Sequence, residues 1–134
     1  EEALQLQREV YETRCQTIGK SHPDTVTVLA DLAESMRRIE KTDAAINLQR
    51  EVVDTRVRVL GEEHPDTLWS KCKLAHSLKQ NSSDLDTLQT SLQLYNEVWD
   101  GRKLIHGIGH SLTKLAAREA YNVERRIRRE RDIA

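Results

Sequence analysis

Aromatic residues are scarce in this sequence, which has no phenylalanine and is only 4% aromatic. A hydrophobic core must therefore be built from Leu, Val, Ile and Ala, which suit closely packed helices. The two cysteines, Cys15 and Cys72, are too few for a disulfide framework and have no short metal-binding spacing, which favours a reducing compartment. No apolar run approaches the ~20 residues that a membrane span needs. We therefore expect a cytoplasmic protein without a membrane partner.

An excess of charge of one sign is also missing, because the formal net charge is -1 at pH 7. This balance does not favour nucleic acid as a partner of the whole domain. The sequence has no GxxxxGK[ST] phosphate loop, no GxSxG elbow and no HExxH motif. His106 and His110 have a metal-ligand spacing, but Gly107 and Gly109 predict a turn between them. We predict a non-enzymatic protein with no cofactor and no metal.

A sequence unit recurs with a period of 42 residues. The tetrapeptide HPDT occurs at His22 and again at His64, each time three residues after a glycine. At this offset, residues 3–36 and 45–78 are identical at 16 of 34 positions. Such self-similarity is typical of repeat architectures, in which each unit is one supersecondary element.

A third, more divergent copy returns at an offset of 46 instead of 42, with GIGH at 107–110. The four additional residues lie in the turn-rich stretch 80–87, where we expect a longer loop or an extended helix start. We predict a single domain at 1–134. Its expected segments are the second helix of a preceding repeat (1–19), a repeat (22–61), a repeat with the insertion (64–107) and the first helix of a further repeat or a C-terminal capping helix (110–134).

Each period predicts two helices. Pro23 suits the first helical position, which makes His22 the N-cap and places Asp24 in the first turn. Thr42 or Asp43 is expected to cap the second helix, and the next glycine to end it. Apolar residues follow at helical spacing. The inward residues are expected to be Val26, Leu29, Leu32, Ala33 and Met36 in the first helix, and Ala45, Leu48, Val52 and Val59 in the second.

The combination of a glycine, HPDT, a Leu-Ala pair and an LxxEV helix closely resembles the kinesin-light-chain type of tetratricopeptide repeat (TPR). The resemblance covers about residues 1–117 and is greatest to the arrays that follow nucleotide-binding switch (NACHT/NB-ARC, STAND) domains in fungal and bacterial signalling proteins. It implies an all-α fold, a right-handed TPR-like α-solenoid of about six helices in antiparallel pairs. It also implies a non-enzymatic scaffold that binds a protein partner in a concave groove lined by the first helix of each pair.

The chain departs from the family at several positions. Met36 and Leu78 replace an aromatic residue, and Glu40 replaces a glycine between the helices. Kinesin light chains have an asparagine that binds the backbone of cargo peptides, and this chain has Asp31 and Lys73 there. A kinesin-light-chain-like cargo adaptor is therefore less favoured as a function than a peptide-binding scaffold or a self-association module.

Alignment with the groove positions of the family gives candidate peptide-binding residues in all three copies. The second and third sets are mostly basic, so the expected ligand is an acidic peptide or chain terminus, with Trp69 as an anchor. The alternative is a solvated surface that keeps the protein soluble. The candidates are Thr27, Asp31, Glu34 and Arg37 in the first copy, Trp69, Lys73, His76 and Lys79 in the second, and Arg118, Asn122 and Arg125 in the third.

A different class of function is that of a structural spacer or self-association module. Ala3, Leu6 and Val10 match the inward residues of the second helix, so an exposed apolar end would invite stacking of copies into a homo-oligomer.

Two further features have more than one interpretation. The C-terminal stretch, with six arginines from Arg118 to Arg131, is expected to be a solubilising cap, a salt-dependent contact for nucleic acid or another acidic surface, or a helix that packs on a further repeat. Lys71 replaces the core residue Leu29, which predicts a snorkelling stem or a slightly rotated second unit.

Overall fold

The computed structural model describes residues 2–133, and all regular secondary structure in this range is α-helical. The predicted all-α class and the predicted number of helices are confirmed. The segments expected at 1–19 and 110–134 include Glu1 and Ala134, which lie outside the described residues. The helices are α1 (Glu2–Thr17), α2 (Pro23–Arg38), α3 (Thr42–Leu60), α4 (Pro65–Asn81), α5 (Leu85–His106) and α6 (Ser111–Ile133).

The chain divides after Gly61 into two compact units. In the first unit α2 packs against both α1 and α3, around a core that includes Leu29, Met36 and Val52. In the second unit α5 packs against both α4 and α6, around a core that includes Tyr95 and Val123. Each unit therefore buries the apolar faces of three consecutive helices.

Glycine allows the same turn in every copy of the sequence unit. Gly19, Gly61 and Gly107 have φ angles of 95°, 97° and 86°, which L side chains rarely adopt. Gly61 and Gly107 directly follow the last residues of α3 and α5. The turn predicted between His106 and His110 is therefore present.

A histidine caps each helix that follows these turns. Nδ1 of His22 accepts a hydrogen bond from the backbone N–H of Asp24 at 3.1 Å, and Pro23 is the first residue of α2. His64 caps α4 in the same way at the same distance. The third copy lacks the proline, yet His110 makes the equivalent bond at the start of α6. The helix starts predicted at the two HPDT sequences are confirmed.

The predicted cap of α3 by Thr42 or Asp43 is wrong. The N-cap is Lys41, whose side chain makes no capping bond. The chain turns earlier because Glu40 adopts a φ of 65°, and the N–H of Lys41 bonds to the carbonyl of Met36 at 2.9 Å. Glu40 thus takes the left-handed conformation that the glycine of related repeats adopts without strain.

The four additional residues of the third period lengthen helices and not a loop. α4 has 17 residues where α2 has 16, and α5 has 22 where α3 has 19. The connection between the paired helices, 39–41 or 82–84, has the same length in both copies. The alternative of an extended helix start is the one that the structure supports.

Two residues on the predicted inward faces behave differently from expectation. Val59 is 46% exposed and lies in the last turn of α3. Lys71 is only 3% exposed and does not snorkel to solvent. Its ammonium lies 2.6 Å from Glu62 and 2.7 Å from Glu97, so a buried cation takes the place of Leu29.

Candidate peptide-binding surface

Two predicted groove residues on α4 project away from the core. Trp69 is 51% exposed, and Lys73, one turn later, is also exposed. The Lys73 ammonium lies 5.0 Å from the centre of the Trp69 ring, a cation–π contact that holds both side chains on one face of the helix. His76, another turn along, is half-buried and takes part in an interaction within the protein. Trp69 and Lys73 are therefore the side chains that α4 offers to a ligand.

The three predicted residues of α6 are all exposed. Arg118, Asn122 and Arg125 follow one another at three- or four-residue spacing, which places them on one face of the helix. Arg125 lies 5.9 Å from the centre of the Tyr121 ring. Within residues 2–133, no carboxylate forms an ion pair with Arg118 or Arg125. Their positive charges are therefore available to an anionic ligand.

Polar contacts join α4 to α6. Nζ of Lys79 lies 2.5 Å from the carboxylate of Glu119. Arg126 donates to the backbone oxygens of Lys79 and Ser82, and to the hydroxyl of Ser83 at 3.1 Å. Because the last carbonyls of a helix have no partner within it, Arg126 caps the end of α4. Lys79 thus bridges two helices and contributes no unpaired charge to a ligand.

The exposed predicted residues of these two helices define what we call the α4/α6 surface. It carries three cations and an aromatic ring, and the cation–π contact of Lys73 leaves the ammonium exposed to solvent. The surface consists of Trp69, Lys73, Arg118, Asn122 and Arg125.

The predicted residues of the first unit have a different chemistry. The hydroxyl of Thr27 donates to the carbonyl of Pro23 at 3.0 Å, within α2. Glu34 accepts two hydrogen bonds from Arg37, at 2.7 and 3.1 Å, and these bonds raise the pKa of Arg37. Asp31 is exposed. Because Glu34 neutralises Arg37, the positions that are basic in the second unit are neutral or acidic in the first.

Arg102 of α5 is not among the predicted site residues, and it is 3% exposed. Its Nη1 donates to the carbonyl of Leu112, at the start of α6, at 3.1 Å. Arg14 makes the equivalent bond in the first unit, to the carbonyl of Asp24 at 3.4 Å. Arg56 occupies the same position of the repeat. An arginine at the same place in every copy was the signal that could have revealed this residue.

The two histidines of the HGIGH turn lie close together. The rings of His106 and His110 stack with their centres 4.3 Å apart. Across the described residues, no group of three or more His, Cys, Asp or Glu side chains that could hold a metal ion was found. In the same range no helix is both long and apolar enough to cross a membrane.

Paired helices, a repeated glycine-histidine corner and an exposed cationic surface define a helical-repeat scaffold. The tetratricopeptide repeat family matches residues 1–24 and 25–66. Residues 1–66 are therefore similar to tetratricopeptide repeats. Among the curated proteins, no sequence matches the chain.

Solved structures with TPR-like repeats have a similar fold. A protein from Podospora anserina described as a putative kinesin light chain with nearly identical TPR-like repeats has a TM-score of 0.81 at 22% identity, over 96% of this chain and 60% of that one. A variant of that protein with one residue replaced by methionine gives the same values. BtubC (BKLC) from P. vanneervenii has a TM-score of 0.59 at 12% identity, over 91% of this chain and 55% of that one.

The chain thus spans 60% of the length of the first of these proteins and 55% of the length of the last. The likeness confirms the predicted TPR-like solenoid class. Tetratricopeptide repeats form a protein-interaction fold without enzymatic activity, as the sequence predicts.

Proposed function

We propose that this chain is a scaffold that binds an acidic segment of a protein partner on the α4/α6 surface. The observation that carries the proposal is the set of three exposed cations on two adjoining helices, of which Arg118 and Arg125 have no carboxylate partner within residues 2–133. Arginine binds carboxylates through paired N–H donors. Trp69 adds an exposed ring of the kind that dominates many binding interfaces.

A charge-reversal experiment tests this proposal. Acidic and neutral 12-residue peptides, labelled with a fluorophore, are titrated with the protein and with the variant Lys73→Glu, Arg118→Glu, Arg125→Glu. Each exposed ion pair contributes ~0.2–1 kcal/mol, so losing three of them and replacing attraction by repulsion is expected to weaken the binding of acidic peptides about tenfold. Binding should also weaken as salt is raised from 50 to 300 mM, because salt screens exposed charges.

A control with the same change of charge is available elsewhere on the protein. Arg8, Arg50 and Arg131 are exposed and lie outside the α4/α6 surface. Reversing these three arginines changes the net charge equally and should leave binding of acidic peptides within about twofold of the original protein. The same loss of affinity in both variants would mean that net charge, and not this surface, attracts the peptides.

Self-association is the second candidate function. Leu6 and Val10 of α1 are 61% and 42% exposed, whereas their repeat equivalents Leu48 and Val52 pack in the core of the first unit. Covering this apolar face with a second copy would bury it from water. Sedimentation equilibrium over a hundredfold range of concentration tests this function, with Leu6→Glu, Val10→Glu as the variant. A mass that does not rise with concentration would rule out self-association.

The biological setting is proposed from the resemblance alone. We propose that the chain serves in the cytoplasm as a sensor or assembly arm of a larger signalling protein. A nucleotide-binding switch domain in the same polypeptide would support this setting, whereas a coiled coil would support a kinesin-light-chain-like cargo adaptor.

A further inference from the structure

A cleft of about 230 Å³ lies at one end of the second unit, where α4 begins, α5 ends and α6 begins. Its walls include the apolar side chains of Leu68, Trp69, Ile105 and Leu112. Arg102 also lines the cleft. The cleft has the size of one large amino-acid side chain with its backbone, and its lining combines apolar residues with an arginine.

Among the described residues, the positive charge of Arg102 has no anionic partner. Within residues 2–133, no carboxylate lies within ion-pair distance of this guanidinium, although only 3% of Arg102 is exposed. Its partners are the Leu112 carbonyl and the thiol of Cys72. Burial raises the pKa of Cys72, so the thiol stays neutral, and the nearby Glu119 is paired with Lys79. A buried charge without a counter-ion is costly, and an incoming anion would remove that cost.

Two exposed positions next to the cleft-lining residues Ile105 and His106 in the sequence are apolar in this copy of the repeat only. Leu104 and Ile108 are 72% and 75% exposed, and Ile105 is 41% exposed. At the equivalent positions, the second copy has Arg58 and Glu62. The first copy has Gln16 and Lys20 at these positions. Exposed aliphatic residues where the other copies are polar or charged mark a surface that binds an apolar partner.

We propose that this cleft binds the carboxyl terminus of a partner protein whose last two residues are apolar. The terminal carboxylate binds Arg102, the last side chain packs against Trp69 and Ile105, and the preceding one lies on Leu104 and Ile108. The proposal rests on the proposed function in one respect, because the ligand is again a segment of a protein partner.

The geometry favours a chain end over an acidic side chain within a chain. At a chain end, the carboxylate and the last side chain leave the same Cα atom, so both reach into a small cleft and the chain needs only one exit. Asp66 also lines the cleft and already takes part in an interaction. Its negative charge disfavours a second acidic group near the terminus, and this distinguishes the cleft ligand from the acidic ligand of the α4/α6 surface.

Three short peptides test the proposal: acetyl-Gly-Ser-Gly-Leu-Leu with a free carboxylate, the same peptide with a C-terminal amide, and acetyl-Gly-Ser-Gly-Ser-Ser with a free carboxylate. Binding is followed by NMR through the indole N–H signal of Trp69, assigned by comparison with a Trp99→Phe variant. The Leu-Leu acid should shift this signal and bind at least tenfold more tightly than the amide or the Ser-Ser acid. Equal affinities of the Leu-Leu acid and its amide, or the absence of any shift, would overturn the proposal.

Two variants separate binding from folding. Arg102→Gln keeps a donor for the Leu112 carbonyl but lacks the charge, so it should bind the acid and the amide with equal affinity. Leu104→Arg, Ile108→Glu introduces the residues of the second copy at exposed positions, and it should fold normally and lose binding of the Leu-Leu acid. Unchanged preference for the acid in Arg102→Gln, or unchanged binding in the other variant, would refute the assignment.

A third variant keeps this test independent of the α4/α6 surface. Arg118→Glu, Arg125→Glu leaves the cleft intact and should bind the Leu-Leu acid as tightly as the original protein. If this variant alone loses the peptide, the ligand occupies the α4/α6 surface and the cleft proposal is wrong. Failure of the acidic peptides described above would leave the cleft result unaffected.

Discussion

Lys71 provides the sharpest test of how the second unit is held together. Its side chain is 4% exposed, whereas the two carboxylates that it contacts at 2.6 and 2.7 Å, Glu62 and Glu97, are 65% and 37% exposed. The charges of this cluster are therefore unequally buried. Removing the cation leaves two carboxylates that return to water, whereas removing the carboxylates leaves a buried cation without a counter-ion.

This asymmetry predicts opposite outcomes for two sets of substitutions. Replacing a buried ion pair by an apolar side chain is often neutral or stabilising by ~1–4 kcal/mol, so Lys71→Met should leave the free energy of unfolding unchanged or raise it by about 1 kcal/mol. Removing the partners of a buried charge costs ~3–5 kcal/mol. Glu62→Gln, Glu97→Gln should therefore lower the free energy of unfolding by about 3 kcal/mol.

Urea unfolding followed by tryptophan fluorescence measures both changes in the free energy of unfolding, and it reports on the second unit. The protein has two tryptophans, Trp69 and Trp99, and both belong to the second unit. The Lys71→Met substitution in the background of Glu62→Gln, Glu97→Gln is the control, since it should restore most of the lost stability. If Lys71→Met destabilises the unit as much as the double glutamine variant does, the ion cluster is a net source of stability and the reasoning fails.

The difference in stability between the original protein and Lys71→Met should depend on pH in a definite direction. Burial by itself lowers the pKa of Lys71, but the hydrogen bonds to Glu62 and Glu97 outweigh it, so the pKa lies above its ordinary value. A folded-state pKa that is raised contributes stability below the unfolded pKa, which is about 10.4 for lysine. This contribution is lost as the pH rises through the folded value. The original protein should therefore lose stability relative to Lys71→Met above about pH 10.

Two further predictions concern the core of the second unit. A Cβ atom on Gly101 would lie 2.8 Å from both methyl carbons of Leu68, which is 2% exposed, so the Leu68 side chain would have to shift within a packed core; Gly101→Ala should cost about 2 kcal/mol by urea unfolding. Gly109→Ala, whose Cβ would meet nothing within 4 Å, is the control, and equal stabilities of the two variants would contradict the packing. Burial raises the pKa of Tyr95 well above its ordinary value, so this phenol should stay protonated while the protein is folded, and stability should fall as the pH rises above about 10. Absorbance at 295 nm with Tyr95→Phe as the reference checks this, and a Tyr95 signal that appears before unfolding would disprove it.

The parts of the fold that depend on local sequence were predictable. A glycine, a histidine and a helical apolar stripe specify a corner and the helix after it within about ten residues, and the repeat showed these signals more than once. The left-handed turn at Glu40 could not be predicted from the residue itself, because glutamate has no preference for this conformation, and only the alignment of Glu40 with a glycine of the family pointed to it.

The environment of Lys71 and the cleft beside Arg102 depend on residues that are distant in sequence. Glu97 lies 26 residues after Lys71, and Leu112 lies ten residues after Arg102, on the next helix. A period that aligns the copies shows which positions are equivalent. It does not show which side chains of neighbouring helices meet. For the same reason, alignment placed Lys79 in the groove but could not reveal its pairing with Glu119.

Four of the six arginines of α6 can be assigned individually, and the partners of two of them argue against a phosphate-binding helix. Arg126 caps α4, and Arg128 pairs with Glu124 at 2.7 Å. Arg118 and Arg125 belong to the α4/α6 surface. A nucleic-acid site would need a row of unpaired cations along one face of the helix, whereas Arg126 and Arg128 are engaged within the protein.

The outer face of α6 also differs from that of α2 in a way that bears on stacking. Positions that are Val26, Leu29 and Met36 in α2 belong to the core of the first unit, together with residues of α3. The equivalent positions of α6 are Lys114, Ala117 and Glu124. Helices of a repeat array associate through apolar faces, and this face of α6 offers charge in place of two of the three apolar side chains. The charge at these positions favours a solvated surface on this side of α6, and a partner is more readily accommodated on its cationic face than on this one.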